Sequence, residues 1–386
     1  MSSTQTSPAP TAYAAARIHT LTAPAPLEDH AVVVEGERVA AVVPRAEAAG
    51  AVDLGDVDLA PGFVDVQVNG GGGVLFNDDP SVAALMTIAD AHRAFGTTAL
   101  VPTLITATAE TMAAARAAVD AAIDEGVPGV LGIHFEGPFL DPRKPGAHDP
   151  ALVRPPSDED LDAILDGARG VTVVTAAACC LDEAALAQLR GGGARLALGH
   201  CASTYDEARD AFAAGVTGVT HLYNAMSPME SRAPGLVGAA LATDGVTSGL
   251  IVDGVHVAYG AVRAAWRAAG TDGIMLVTDA VQPVGSDVTE FELGGQRVRL
   301  VDGRCINEDG NLAGSALDMA SAVRNAVRYA GIPLADALRM ASLTPSRFLG
   351  VDDERGSIAP GLRADFVALD DRLEVVSTIV GGAPLA

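Results

Sequence analysis

The sequence predicts an α/β protein, a (β/α)₈ TIM barrel with a small β-sandwich built from both chain ends. Three observations predict it. Short β-rich runs alternate with Ala-rich amphipathic stretches through the middle of the chain, the pattern of a parallel sheet with crossover helices. Strand-like segments lie at both termini and flank that middle. The 386 residues exceed the roughly 250 that such a barrel uses, which leaves chain for a second unit.

The elements follow in order. Residues 1–11 are rich in Ser, Thr, Pro and Ala and read as a loose tail. Ala31 to Val42 reads as a hairpin, two apolar runs around a Glu35-Gly36 turn. Ala364 to Leu369 and Val375 to Val380 read as two strands around a polar turn. Residues 12–60 and 356–386 are therefore assigned to the sandwich, and 61–355 to the barrel. Barrel strands are expected to end near Val68, Thr103, Phe135, Thr175, Gly199, Leu222, Val252 and Thr278. Helical stretches include Ser81 to Phe95, Glu110 to Asp124, Asp182 to Arg190, Thr204 to Ala214 and Tyr259 to Ala269. Phe291 to Cys305, with Gly294-Gly295 inside it, reads as a hairpin inserted after the eighth strand, before helices at Leu317 to Ala330, Leu334 to Ala341 and Pro345 to Leu349. The rival fold is an open doubly wound sheet, which usually carries a Gly-rich phosphate turn after its first strand. Gly70 to Gly73 follows the first strand here but does not fit GxGxxG.

Composition narrows the function classes. Apolar residues make up 49% of the chain and charged residues 19%, a globular balance. The net charge of −24 disfavours nucleic acid and anionic membranes as partners. Lys144 is the only lysine, so arginine carries nearly all positive charge. Cys179, Cys180, Cys201 and Cys305 show no CxxC spacing, and a reduced, cytoplasmic protein is the simple expectation. Neither a signal peptide nor an apolar run of membrane-spanning length is evident.

Catalytic groups of a barrel sit at the C-terminal ends of its strands. Reading those ends in turn gives Gln67 and Asn69, Thr103, His134 and Glu136, His200, His221, Asp253 and His256, and Asp279. Five of the eight histidines (His134, His148, His200, His221, His256) fall at these ends or just beyond them. Any one alone would read as a satisfied structural histidine; together, on strands converging at one mouth, they read as a site. Glu136, His200 and His221 make a divalent-metal site of the catalytic zinc type. A cation there would acidify a water, and Asp279 would accept its proton and pass it to a leaving amine. Strand alternation turns Asp65 and His134 away from their neighbours, toward a supporting or structural role.

The motifs PGFVDVQVNG (61–70), VPTLIT (101–106), HFEGPF (134–139), PGAHDP (145–150), GVTHLYNAM (218–226), DGVH (253–256), VTDA (277–280) and LAGS (312–315) resemble those of the N-acetylglucosamine-6-phosphate deacetylases of the amidohydrolase superfamily. GSIAPGLRADFVALD (356–370) is similar to the superfamily's return strand into its β-sandwich. The resemblance implies Glu136, His200 and His221 as metal ligands and Asp279 as the acid/base. It implies sugar contacts from Ala147, His148, Asn224, Ala225, Leu312, Ala313 and Gly314, and phosphate contacts from Arg232 and His256. It also implies a homodimer or tetramer in which one subunit contributes to its neighbour's site. Many superfamily members carry His-x-His in the first strand and a bridging lysine. Gln67-Val68-Asn69 stands there instead. One metal per subunit is therefore expected: zinc first, with iron, cobalt, manganese or cadmium as alternatives. Ala177-Ala178 stands where many relatives carry Pro-Glu. Competing expectations are hydrolysis of another amide, such as a cyclic ureide or an acyl amino acid, the galactose epimer as substrate, and a catalytically silent sugar-phosphate-binding protein.

Overall fold

The computed structural model describes residues 11–385. Thr11 opens a strand, and the remainder of the expected tail lies outside the described residues.

Eight parallel strands follow one another around the barrel in chain order. They are Phe63–Val68, Thr97–Ile105, Gly132–Glu136, Val171–Ala176, Arg195–Leu198, Gly218–Val219, Thr247–Leu250 and Ile274–Leu276. Closure comes beyond the eighth strand, where Val68 bridges Ala280 in parallel. There the Asp279 amide donates to the Gln67 carbonyl at 2.9 Å, and the Asn69 amide to the Ala280 carbonyl at 2.9 Å. The buried Asp65 carboxylate rivets the same seam: Oδ2 accepts from Thr278 Oγ1 at 2.5 Å, and Oδ1 from the Gln67 amide at 3.2 Å. The barrel is thus sealed at the end where its polar residues cluster.

The crossover helices fall where the apolar periodicity places them. Ser81, Thr108, Asp182 and Thr204 each cap a helix by accepting a backbone N–H three residues on. Asp158–Leu165 has no counterpart among the helices read from sequence; Ser157 and Asp160 close a capping box at its start. The inserted hairpin has a third strand, giving Glu290–Leu293, Gln296–Val301 and Arg304–Asn307 in antiparallel order. It packs through Phe291, Leu293, Val298 and Cys305 against Leu75, Ile105 and Val281, over the barrel mouth.

The terminal unit is one continuous eight-stranded sheet drawn from both chain ends. Phe366–Leu369 pairs antiparallel with Asp58–Pro61, which runs through Gly62 into the first barrel strand. The sheet curls until its far edge returns: Arg38 bridges Arg363, and the Ala364 amide donates to the Glu37 carbonyl at 2.8 Å. Period-2 alternation lets Phe366–Leu369 serve two cores. Phe366 and Ala368 join Tyr13, Val32 and Leu59 inside the terminal sheet, while Val367 and Leu369 join the barrel core. That double burial explains an unbroken apolar run in an antiparallel pair. No helix among the described residues is long and apolar enough to cross a membrane.

Candidate active site

Polar side chains gather where the barrel strands stop. Three of them occupy left-handed backbone: His200 (φ 46°), His221 (φ 32°) and Asp279 (φ 53°). Non-glycine residues seldom adopt this region, and each instance costs of order 1–3 kcal/mol. The fifth, sixth and eighth strands end one, three and two residues before the ends read from sequence, because these turns break the pleat. Glu136 instead ends a regular strand and is followed by Gly137 at φ 87°.

The donor atoms meet. His221 Nε2 lies 2.9 Å and His200 Nε2 3.1 Å from Glu136 Oε1, and the two imidazole nitrogens are 3.1 Å apart. All three side chains are buried. Hydrogen-bond partners assign one proton on His200: its Nδ1 faces the Lys144 carbonyl at 2.9 Å, an acceptor only, so Nδ1 carries a hydrogen, and in the neutral ring Nε2 holds a lone pair. In that neutral form the lone pair confronts the Glu136 carboxylate, and only a positive charge between them turns the contact favourable. A proton on His221 Nε2 would relieve the contacts it makes itself, but not the one between His200 and Glu136. A cation among the three atoms relieves them all, so the donor chemistry fits a metal.

His148 also approaches, and Glu136, His148 and His200 offer donor atoms within 4.8 Å of one another. Its Nε2, however, is 4.0 Å from Glu136 Oε1. Its Nδ1 accepts the Thr106 amide N–H at 3.3 Å and lies 2.7 Å from Thr106 Oγ1. The proton of neutral His148 therefore sits on Nε2, which makes this nitrogen a donor and not a ligand. Two rings with centroids 4.3 Å apart thus hold opposite tautomers.

Burial and charge set the proton affinities. Burial pushes Asp279 up to about 6, aided by the Glu136 charge. Burial alone would raise Glu136, but its bonds to His200 and His221 hold it well below the usual carboxylate range. Burial drives His148 well below the ordinary imidazole value, and His134 down to about 4. His134 is spent inside the barrel, with Nδ1 3.2 Å from Thr103 Oγ1 and Nε2 2.7 Å from Thr175 Oγ1.

A cavity of about 450 Å³ opens over these groups. Glu136, His200, His221 and Asp279 line it, with Ala147, His148, Asn224, Ala225, His256, Leu312 and Gly314. Ala313 is buried behind the wall, and Arg232 is solvent-exposed outside it. Ala177 and Ala178 do not reach the wall either, so the departure at the fourth strand end lies behind the site. Sequence reading passed over several lining residues: Arg143, Lys144, Pro145 and Gly146 from one loop, and Leu293 and Asn311 from the inserted strands and the loop after them. Arg143 is occupied by Asp141, whose carboxyl it holds down to about 2. The double glycine of the inserted hairpin was the available signal for close approach: a Cβ on Gly294 (φ +57°) would collide with the Ala147 carbonyl oxygen. His256 Nδ1 binds Asp253 Oδ2 at 2.6 Å, which leaves Nε2 for other partners.

Residues 59–385 match the model of the amidohydrolase family. The chain belongs to the amidohydrolase family. Within the family it is 44% identical over 324 residues to an N-acetylgalactosamine-6-phosphate deacetylase of Shewanella sp. (strain ANA-3), covering 84% of this chain and 82% of that protein. It is 37% identical to an N-acetylglucosamine-6-phosphate deacetylase of Haemophilus influenzae, covering 92% of this chain and 94% of that one. The crystal structure of N-acetylglucosamine-6-phosphate deacetylase from Pasteurella multocida superposes with a TM-score of 0.94 at 36% identity, over 98% of this chain and 100% of that one. The barrel and a candidate metal site at its mouth are both present in this chain.

Proposed function

We propose that the chain hydrolyses N-acetylglucosamine 6-phosphate to glucosamine 6-phosphate and acetate in a metal-dependent reaction. The observation that carries this reading is the convergence of Glu136, His200 and His221 beside Asp279 in a cavity of sugar-phosphate size. These three residues hold one divalent cation. Zinc suits two imidazoles, a carboxylate and an open fourth position, and iron, cobalt, manganese or cadmium are the alternatives. When bound, the cation acidifies a water and polarises the acetyl carbonyl. Asp279, at about 6, takes the water's proton as its oxygen bonds to the acetyl carbon, and returns it to nitrogen as the C–N bond breaks. His148 Nε2–H donates to the acetyl oxygen or a sugar hydroxyl.

Ala147, Asn224, Ala225, Leu312 and Gly314 shape the sugar pocket, Ala313 supports that wall from behind, and His256 faces the phosphate. Arg232 lies outside this cavity, so we assign it to the phosphate of a neighbouring subunit in a homodimer. A chain that sediments as a monomer at full turnover would remove that assignment. The galactose epimer is the second reading, favoured by the 44%-identical relative.

The test is acetate release from both N-acetylhexosamine 6-phosphates, with and without chelator. Release from the glucose epimer, abolished by chelator and restored by added zinc, is expected. Faster release from the galactose epimer would replace the substrate. Binding of both sugars without any acetate would leave only a silent binding protein.

A further inference from the structure

Gln67 and Asn69 stand where an imidazole pair would serve a second cation, and both side chains are buried at the mouth. Gln67 Nε2 donates to Glu136 Oε2 at 3.1 Å and to Asp279 Oδ1 at 3.2 Å. Asn69 Nδ2 donates to Asp279 Oδ1 at 2.7 Å. The two amides therefore satisfy one oxygen on each carboxylate. Glu136 keeps Oε1, the oxygen facing the imidazoles, and Asp279 keeps Oδ2, on a side chain that lines the cavity. The backbone repeats the connection, since the Asp279 amide donates to the Gln67 carbonyl at 2.9 Å. Asn69 Oδ1 is buried without a partner, so the residue orients its donor at the expense of its acceptor.

We propose that Gln67 and Asn69 form an amide clamp that selects the working oxygen of each carboxylate: Oε1 of Glu136 for the cation and Oδ2 of Asp279 for the proton. Both are positioning residues. Neither amide titrates, so the clamp restrains Asp279 without competing for the proton it carries. With Oδ1 held by two N–H groups, the carboxylate is kept from swinging, and the proton taken from water by Oδ2 stays within reach of the leaving nitrogen. The clamp rests on the hydrolytic reading above, and its Asn69 arm, which bonds Asp279 and not Glu136, concerns the turnover step rather than the affinity for sugar or metal.

The decisive experiment compares Asn69→Leu, Gln67→Leu and Asn69→His with the unaltered, metal-loaded enzyme, measuring kcat, KM, metal content and thermal midpoint. Hydrogen-bonding partners of this kind are worth about 10–100-fold in activity. Asn69→Leu should lower kcat by that factor at unchanged KM and full metal occupancy. Asn69→His, whose ring Nδ1–H takes the place of the amide Nδ2, should recover most of the loss. Full kcat in Asn69→Leu would overturn the clamp, and so would a loss that tracks metal content, KM or thermal midpoint. Should Asn69→Leu fail to fold, the same kcat and KM criteria apply to Gln67→Leu assayed at saturating metal. An unaltered enzyme that releases no acetate would overturn the hydrolytic reading itself, a result distinct from an active enzyme indifferent to Asn69.

Discussion

Two buried carboxylate–imidazole clusters occupy opposite parts of this molecule. In the terminal sheet, Asp58 Oδ1 sits 2.7 Å from His19 Nε2 and 2.9 Å from Arg17 Nε, and Oδ2 accepts from Arg17 Nη2 at 3.1 Å. At the barrel mouth, Glu136 meets His200 and His221 at similar distances. The side chains are comparably buried, 8% exposed for Asp58 and 3% for Glu136. The difference is the cation. Arg17 supplies a permanent positive charge and fills both sides of the Asp58 carboxylate, so the terminal cluster is complete within the chain. No arginine or lysine is hydrogen-bonded to Glu136 among the described residues, and its Oε1 meets the two imidazole nitrogens at 2.9 and 3.1 Å with no guanidinium among them. A buried acid–imidazole group closed by its own guanidinium belongs to structure; one lacking it belongs to a ligand.

The largest effect that sharpens this contrast is expected at the mouth. Asp279→Asn should lower kcat by about 10²–10⁴-fold, the usual worth of a general base, while metal content and sugar affinity persist. Turnover within threefold of the unaltered enzyme would take Asp279 out of the mechanism.

The converse substitution lies in the terminal sheet. Asp58→Ala should reduce unfolding free energy on the order of 1–3 kcal/mol by stranding His19 and Arg17. Arg17 is a third exposed and can turn to water, which keeps the loss below that of a fully buried pair. Turnover per folded molecule should not change. A chain that loses activity in proportion to bound metal would erase the distinction between the two regions.

A smaller effect lies in pH. Burial alone would raise the Asp58 carboxyl, but its bonds to His19 and Arg17 bring it below the ordinary value of 3.8. The unfolded chain therefore takes up this proton first as pH falls. The contribution is complete above the unfolded pKa of about 3.9 and fades as pH falls through the lower folded value. The stability gap between the unaltered protein and Asp58→Asn should stay flat from pH 6 to 5 and narrow below about 4. A gap that widens on acidification would reverse the sign assigned to this cluster.

Much of the mouth was legible before any coordinates. Glu136, His200, His221 and Asp279 were readable because β-strands are short, apolar and bounded, so a polar residue at the end of each run stands out. Their convergence follows from barrel closure, which the count of eight runs implies. Leu293 and Asn311 were not legible as lining residues, because the double glycine of the hairpin signals a close approach but not which surface is approached. Arg232 looked like a pocket residue from its motif neighbours, yet its loop holds it in solvent outside the cavity of its own subunit. The helix Asp158–Leu165 escaped because four of its eight residues are acidic and its apolar residues begin only at Leu161.

By itself the sequence determined the order of strands and helices, the residues at each strand end, and the replacement of an imidazole pair by Gln67 and Asn69. These are matters of local periodicity and residue type. Only the tertiary structure decided which nitrogen of each imidazole carries the proton and which oxygen of each carboxylate is free. Those choices depend on partners distant in the chain: the Lys144 carbonyl 56 residues from His200, Thr106 42 residues from His148, and Gln67 212 residues from Asp279. A proton's position is fixed by the few atoms within about 3 Å of it, and no local pattern encodes neighbours that only folding brings together.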